Sequence, residues 1–85
     1  MYRLFLTASA EKQFAKLSES LRRRITKAFD ELRENSRPPG CIKLKGEDDL
    51  WRIRVGDYRI VYTIKDDELI VLVVRVAHRK DVYQG

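Results

Sequence analysis

The sequence predicts an α+β fold in which two helices pack as a hairpin on one face of a twisted, antiparallel-rich sheet, in the order strand, helix, helix, strand, strand, strand. Three observations predict it. Apolar residues recur at helical spacing through residues 8–35, and apolar and polar residues alternate on both sides of Gly56-Asp57. A nearly continuous apolar run follows at residues 69–76. With 85 residues, the chain is expected to form one domain over residues 1–85.

The N-terminal half is predicted to hold one strand and the helical hairpin. The stretch YRLFLT is apolar enough to form a short central strand. Thr7 is placed to cap a first helix over ASAEKQFAKL, and Ser18 is placed to cap a second, amphipathic helix over residues 19–35. The segment NSRPPG ends that helix, because its prolines lack backbone donors and its glycine frees the chain.

The C-terminal half is predicted to be three antiparallel strands. Residues 50–55 and 58–65 alternate apolar with polar around the turn at Gly56-Asp57, which is a strong hairpin signal. In that register Arg54 lies opposite Arg59. The run LIVLVVRV is apolar on both faces, so it is expected to be a buried central strand.

The alternation gives the hairpin two faces. The face packed on the helices is predicted to hold Trp51, Ile53, Val55, Tyr58, Ile60 and Tyr62. The opposite, exposed face is predicted to hold Arg52, Arg54, Arg59 and Val61. Like charges opposite each other destabilise a sheet, and a phosphate bound between guanidinium groups offsets that repulsion. Each arginine alone is typical of a solvated surface, but three with no acid between them favour an anion-binding surface.

The flanking segments are expected to complete the rim of this surface. Lys43, Lys45 and Lys80 add positive charge to it, as does Arg79. Tyr83 supplies a ring, and single-stranded nucleic acid is bound by charge at its backbone and by aromatic rings at its bases.

The composition supports a polyanionic partner and excludes several other chemistries. Eighteen Lys and Arg against 13 Asp and Glu give a net charge of +5. The single cysteine, Cys41, allows no internal disulfide, and the single histidine, His78, supports neither a zinc site nor a Ser-His-Asp triad. Without a signal-like N-terminus or a long apolar run, we expect a soluble, cytoplasmic protein.

The segments KLKG, LWRIRVGDYRIVYTI and VLVVRVAHRKDVY, together with RPPG before them, resemble the RelE family of type II toxins over essentially the whole chain. The most specific parts are RIRVGDYRIVY and HRKDVY. The resemblance implies a ribosome-dependent endoribonuclease that cuts codons in the decoding site without a metal. The ribose 2′-OH attacks the adjacent phosphate and leaves a 2′,3′-cyclic phosphate and a 5′-OH.

The resemblance also implies partners for the chain. These are an acidic, RelB-like antitoxin, the ribosome and mRNA, with no membrane. The toxin–antitoxin complex is expected to form higher oligomers and to bind operator DNA through the antitoxin.

The resemblance implies roles for individual residues as well. Arg59 would stabilise the charged transition state, Arg79 would contact the phosphate or protonate the leaving oxygen, and Tyr83 would stack on a base or orient the 2′-OH. Arg52 and Arg54 fall where the best-known members carry two lysines. Arginine can clamp a phosphate, but its high pKa prevents it from accepting the proton.

The proton acceptor is therefore open at this point. His78 is the first candidate, because its ordinary pKa is near ~6.5. Glu47 or Asp49 is the second, and in a third alternative charge stabilisation supplies most of the rate without a strong base. Three other functions compete with the nuclease: a ParE-like toxin that poisons DNA gyrase, a non-catalytic RNA-binding module, and an antitoxin-bound protein without activity.

Overall fold

The computed structural model describes residues 1–46 and 49–82, with side chains up to residue 80. Its elements are β1 (Arg3–Leu6), α1 (Ala8–Ala15), α2 (Glu19–Glu34), β2 (Ile42–Lys43), β3 (Leu50–Val55), β4 (Tyr58–Lys65), β5 (Ile70–His78) and α3 (Arg79–Val82). The strands form one sheet in the order β1-β5-β4-β3-β2. The predicted α+β architecture is confirmed, and the structure adds the two-residue β2 and the single-turn α3. No helix in the described ranges is long and apolar enough to cross a membrane.

The two long helices begin at the predicted caps. The Thr7 hydroxyl accepts a hydrogen bond from the Ala10 N–H, and the Ser18 hydroxyl accepts one from the Leu21 N–H, both at 3.2 Å. These bonds satisfy backbone donors that have no partner within the helix. Arg22 of α2 donates to the carbonyls of Leu17 in the linker and of Ala15 in α1, so it ties the two helices together.

The core lies between the helices and one face of the sheet. Its largest fully buried side chains are Ile25, Leu32, Ile60, Tyr62, Val71, Val73 and Val76. Phe14 of α1 and Phe29 of α2 meet above the sheet, with ring centroids 5.7 Å apart. All six hairpin residues predicted for this face belong to the core cluster or pack against it, which confirms the predicted facing.

The β3–β4 hairpin has the predicted register, with Arg54 opposite Arg59 across the sheet. Gly56 opens the turn with φ at +60°, a conformation that favours glycine. A Cβ at this position would also lie 3.1 Å from Nη2 of Arg24, which reaches over the turn from α2. The backbone angle therefore favours glycine here, and a side chain would also require the Arg24 guanidinium to shift by a few tenths of an ångström.

The prediction that β1 is central is wrong, because β1 forms an edge of the sheet and pairs in parallel with β5. Leu4 and Leu6 pack on the core, whereas Arg3 and Phe5 on the other face are exposed. A strand buried on both faces is apolar throughout, whereas the charged Arg3 interrupts the outer face of β1.

β5 is a central strand, as predicted, but it contains a β-bulge that the sequence did not indicate. Val61 pairs with Arg75 and the next residue, Tyr62, pairs with Val73, so Val74 is an extra residue on β5. Val73 before the bulge and Val76 after it both lie in the core. The bulge therefore shifts the alternation by one residue and sends Arg75 to the face opposite the helices.

Candidate phosphate-binding surface

Four arginines from three neighbouring strands lie on the sheet face opposite the helices. The cross-strand pairs place Arg54, Arg59 and Ala77 in one row. The next row along the strands contains Arg52, Val61 and Arg75. We call this surface the arginine face and define it by Arg52, Arg54, Arg59 and Arg75.

The arginine face is partly covered, so the expectation of a fully exposed face is wrong for Arg59 and Val61. The exposed fraction of Arg59 is 6%, and that of Val61 is 5%. Both residues lie on β4, whereas Arg54 on β3 and Arg75 on β5 are exposed. Arg54 also donates from Nε to the carbonyl of Gly56 at 3.1 Å, which holds its side chain beside the turn.

The charge of the exposed arginines on this face is not neutralised by the ion pairs found among the described side chains. Those pairs join Arg23 to Glu19, Arg33 to Asp30 and Arg37 to Asp66. None of them includes Arg54 or Arg75. The face therefore presents positive charge suited to a phosphate, which a guanidinium fork can bind through two parallel hydrogen bonds.

The chain after β5 brings further positive charge to the hairpin end of the sheet. The backbone N–H of Arg79 donates to the carbonyl of Asp57 at 2.8 Å, which extends the β4–β5 ladder by one residue. Arg79 thus follows Ala77, the cross-strand partner of Arg59, by two residues. Arg79 and Lys80 are both exposed in α3, and Tyr83 lies outside the described residues.

His78 lies on the other face of the sheet from the arginines. It pairs with Tyr58, and the two rings meet edge to face with centroids 5.5 Å apart. Both rings line a cleft of about 570 Å³ between α1 and β5. Nδ1 of His78 accepts a hydrogen bond from the Lys80 N–H at 3.3 Å. This placement gives no support to the proton-acceptor role expected of His78.

The predicted lysines of the rim do not all join the arginine face. Lys43 pairs with Trp51, and its Nζ lies 5.9 Å from the centroid of that ring, on the side of the sheet that carries the helices. Lys45 is exposed in the turn after β2. Asp49 is exposed just before β3, and Glu47 lies outside the described residues.

The sequence analysis missed Arg75, which the structure places on the arginine face. Within LIVLVVRV it is the one charged residue in an apolar strand. That interruption was the available signal, because a charged side chain in a central strand must find solvent or a partner. Its facing could not be assigned, because strict alternation places Arg75 with Val71 and Val73 on the core side.

Three groups with shifted pKa values, Tyr2, Tyr62 and Asp66, lie away from the arginine face. Hydrogen bonds from Arg37 and Tyr2 lower the pKa of Asp66. The hydrogen bond to Asp66 raises the pKa of the Tyr2 hydroxyl. Burial raises the pKa of Tyr62. Across the described part of the chain, no three His, Cys, Asp or Glu side chains are grouped to hold a metal ion.

The fold of this chain matches solved toxin–antitoxin structures from a bacterium and an archaeon. A family model described as the ParE toxin of type II toxin–antitoxin systems, parDE, matches residues 4–83. The chain therefore belongs to the RelE/ParE family of type II toxin–antitoxin toxins, which confirms the predicted resemblance.

Individual relatives carry RelE names. A RelE-like toxin protein of Escherichia coli is 31% identical over 86 residues, which cover 96% of this chain and 90% of that protein. The mRNA interferase toxin RelE of Escherichia coli K12 is 31% identical over 81 residues, which cover 93% and 84% of the two chains. A chain of the intact E. coli RelBE toxin–antitoxin complex superposes with a TM-score of 0.81 at 30% identity, covering 92% of this chain and 96% of that chain.

Proposed function

We propose that this toxin is an mRNA endoribonuclease that cleaves codons on the ribosome. The observation that carries the proposal is the convergence of Arg52, Arg54 and Arg59 on one face of the sheet. The likeness to an mRNA interferase at 31% identity supports it. In the proposed reaction the ribose 2′-oxygen attacks the adjacent phosphorus and loses its proton, and the bond to the 5′-oxygen breaks. That oxygen gains a proton, which leaves a 2′,3′-cyclic phosphate and a 5′-OH.

The arginine face supplies the electrostatic part of this chemistry. Negative charge builds on the phosphate oxygens in the transition state, and guanidinium groups already in contact with the bound phosphate stabilise that charge without reorganising during the chemical step. Arg54 and Arg59 are held opposite each other by the hairpin, so one phosphate can lie between them. Neither can accept the 2′-OH proton, so we assign most of the rate to charge stabilisation and to alignment of the attacking oxygen.

Arg59 has a separate requirement, because it is buried in the free chain. A phosphate reaches its guanidinium only after the groups that cover it rearrange. Once the phosphate is bound, the low local dielectric strengthens their interaction relative to a pair in water. We therefore propose that binding of RNA on the ribosome exposes Arg59.

An antitoxin is the proposed silencing partner. The E. coli RelBE structure contains a toxin bound to its antitoxin, and a chain of that complex shares the fold of this protein. An acidic antitoxin segment can occupy the position of the phosphate or block entry into the decoding site. We further propose that the ribosome and mRNA are the targets, and that operator DNA is bound through the antitoxin.

Cleavage of a defined mRNA by purified ribosomes and toxin tests the nuclease proposal. Arg59→Ala is expected to slow cleavage by about 10²-fold or more, in line with the loss of a transition-state donor. Arg54→Ala provides a second variant, because its side chain is exposed and its loss should leave the fold intact. Arg23→Ala on α2 is the matched control, since that exposed arginine lies away from the sheet face.

Two results would contradict the nuclease. One is an unchanged cleavage rate in both Arg59→Ala and Arg54→Ala while Arg23→Ala also remains normal. The other is a cut that leaves a 5′-phosphate, because attack by the 2′-OH must leave a 5′-OH. Both are scored by mapping the RNA ends after the reaction.

The match to the ParE family model favours a second candidate, inhibition of DNA gyrase by protein–protein contact. Under this alternative the arginine face binds a protein surface and cuts no RNA. A supercoiling assay run beside the translation assay distinguishes the two. Blocked supercoiling with intact mRNA supports the gyrase alternative, and ribosome-dependent cleavage with normal supercoiling supports the nuclease.

A further inference from the structure

We propose that Arg75 binds a second RNA phosphate, next to the one that is cleaved, and so sets the position of the RNA strand on the arginine face. The inference rests on the proposed function, because it assumes that RNA lies on this face. It adds a residue that the sequence analysis did not assign.

The bulge on β5 is the first observation that supports this role. Val73 and Val76 both face the core, although strict alternation would put them on opposite faces. The extra residue, Val74, resolves this difference and directs Arg75 outward opposite Val61. Bulges that re-aim a side chain are over-represented next to functional sites. Without the bulge, the guanidinium group would point into the apolar layer beneath the helices.

The spacing of the two rows is the second observation. Arg75 is diagonal to Arg59, whose direct partner on β5 is Ala77. Diagonal neighbours in a sheet are about 7–8 Å apart at their backbones. Successive phosphates of an extended single strand are separated by a similar distance. A strand with one phosphate between Arg54 and Arg59 can therefore place a neighbouring phosphate at Arg75.

The availability of the side chain is the third observation. Arg75 is exposed and takes no part in the ion pairs found among the described side chains. A guanidinium group left in solvent on a face of like charge gains most from an anion. The gain is ionic, so it should weaken as salt rises.

The test is binding of a short RNA in which every ribose carries a 2′-O-methyl group, so that no 2′-OH is available for attack. We expect Arg75→Gln to bind about fivefold more weakly at low salt. The slope of log K against log salt should also fall in magnitude by about 0.7, the value for one lost phosphate contact on a single strand. Arg75→Lys should keep the slope, because it keeps the charge. Arg23→Gln, which removes one exposed charge on α2, should match the wild type in slope.

A second arm locates the contact within the strand. Single phosphates of the RNA are replaced in turn by uncharged methylphosphonates. One linkage should weaken binding of the wild type and have no effect on Arg75→Gln. Equal penalties in both proteins at every linkage would overturn the inference. So would a loss in Arg75→Gln no larger than in Arg23→Gln, or the absence of wild-type binding at low salt.

The outcome is separable from that of the proposed function. Ribosome-dependent cleavage by the wild type without any effect of Arg75→Gln on binding would overturn this inference alone. A specific effect of Arg75→Gln without cleavage would overturn the nuclease and retain the phosphate contact.

Discussion

Tyr62 carries a buried polar contact that reaches from the sheet to the loop after α2. Its hydroxyl donates to the carbonyl of Ser36 at 2.9 Å, and both residues are buried. We predict that Tyr62→Phe lowers the free energy of unfolding by about 1–2 kcal/mol, because the carbonyl is left without this donor. Denaturant unfolding measures the loss, and Tyr58→Phe on the same strand is the control. A loss no larger than in that control would contradict the prediction.

At the same scale, the facing of His78 leads to a prediction about catalysis. His78 contacts Tyr58 on the helix side of the sheet, whereas Arg54 and Arg59 lie on the other side. We predict that His78→Gln changes the rate of mRNA cleavage by less than about tenfold. A general acid or base contributes about 10²–10⁴-fold, so a loss of that size would restore His78 as the proton acceptor. The measurement is single-turnover cleavage on purified ribosomes, with Arg59→Ala as the reference.

At the scale of elements, the β3–β4 hairpin depends on one glycine. We predict that Gly56→Ala lowers the free energy of unfolding by about 1 kcal/mol or more, because alanine disfavours positive φ and its Cβ would lie 3.1 Å from Nη2 of Arg24. In the double variant with Arg24→Ala, we expect recovery of only that part of the lost stability that comes from the contact between the new Cβ and the Arg24 guanidinium. Thermal unfolding of the two variants separates these contributions. Unchanged stability in Gly56→Ala would contradict both causes.

The elements also show what sequence reasoning can reach. The hairpin register followed from Gly56-Asp57 and from a period of two, which are local properties. No local sequence signal predicts the bulge at Val74, because the bulge depends on how β5 pairs with β4 and packs on the helices. The facing of His78 is by contrast a local consequence of strand alternation, because His78 pairs with Tyr58, the neighbour of Arg59.

At the scale of the whole molecule, Asp66 joins three distant segments. It accepts hydrogen bonds from the Tyr2 hydroxyl at 2.6 Å and from Nη2 of Arg37 at 2.9 Å. The pKa of Asp66 is therefore lowered in the folded state. A lowered carboxyl pKa stabilises the fold above its unfolded value, near ~3.9, and that contribution is lost as pH falls through the folded pKa.

We predict that Asp66→Asn loses less stability than the wild type between pH 6 and pH 2, because it lacks this titrating group. Denaturant unfolding at both pH values measures the difference. Asp67→Asn in the same turn is the control, since the Asp67 carboxylate accepts no such hydrogen bond from the described side chains. Equal acid sensitivity of the wild type and Asp66→Asn would contradict the prediction.

The pairing of the first strand with the last has a consequence during synthesis. Thr7, directly after β1, bonds to the carbonyl of Val74, which lies 67 positions later in the chain. A nascent polypeptide therefore cannot close its sheet until β5 has emerged from the exit tunnel. The arginine face, which includes Arg75 of β5, is therefore incomplete for as long as β5 remains inside the ribosome.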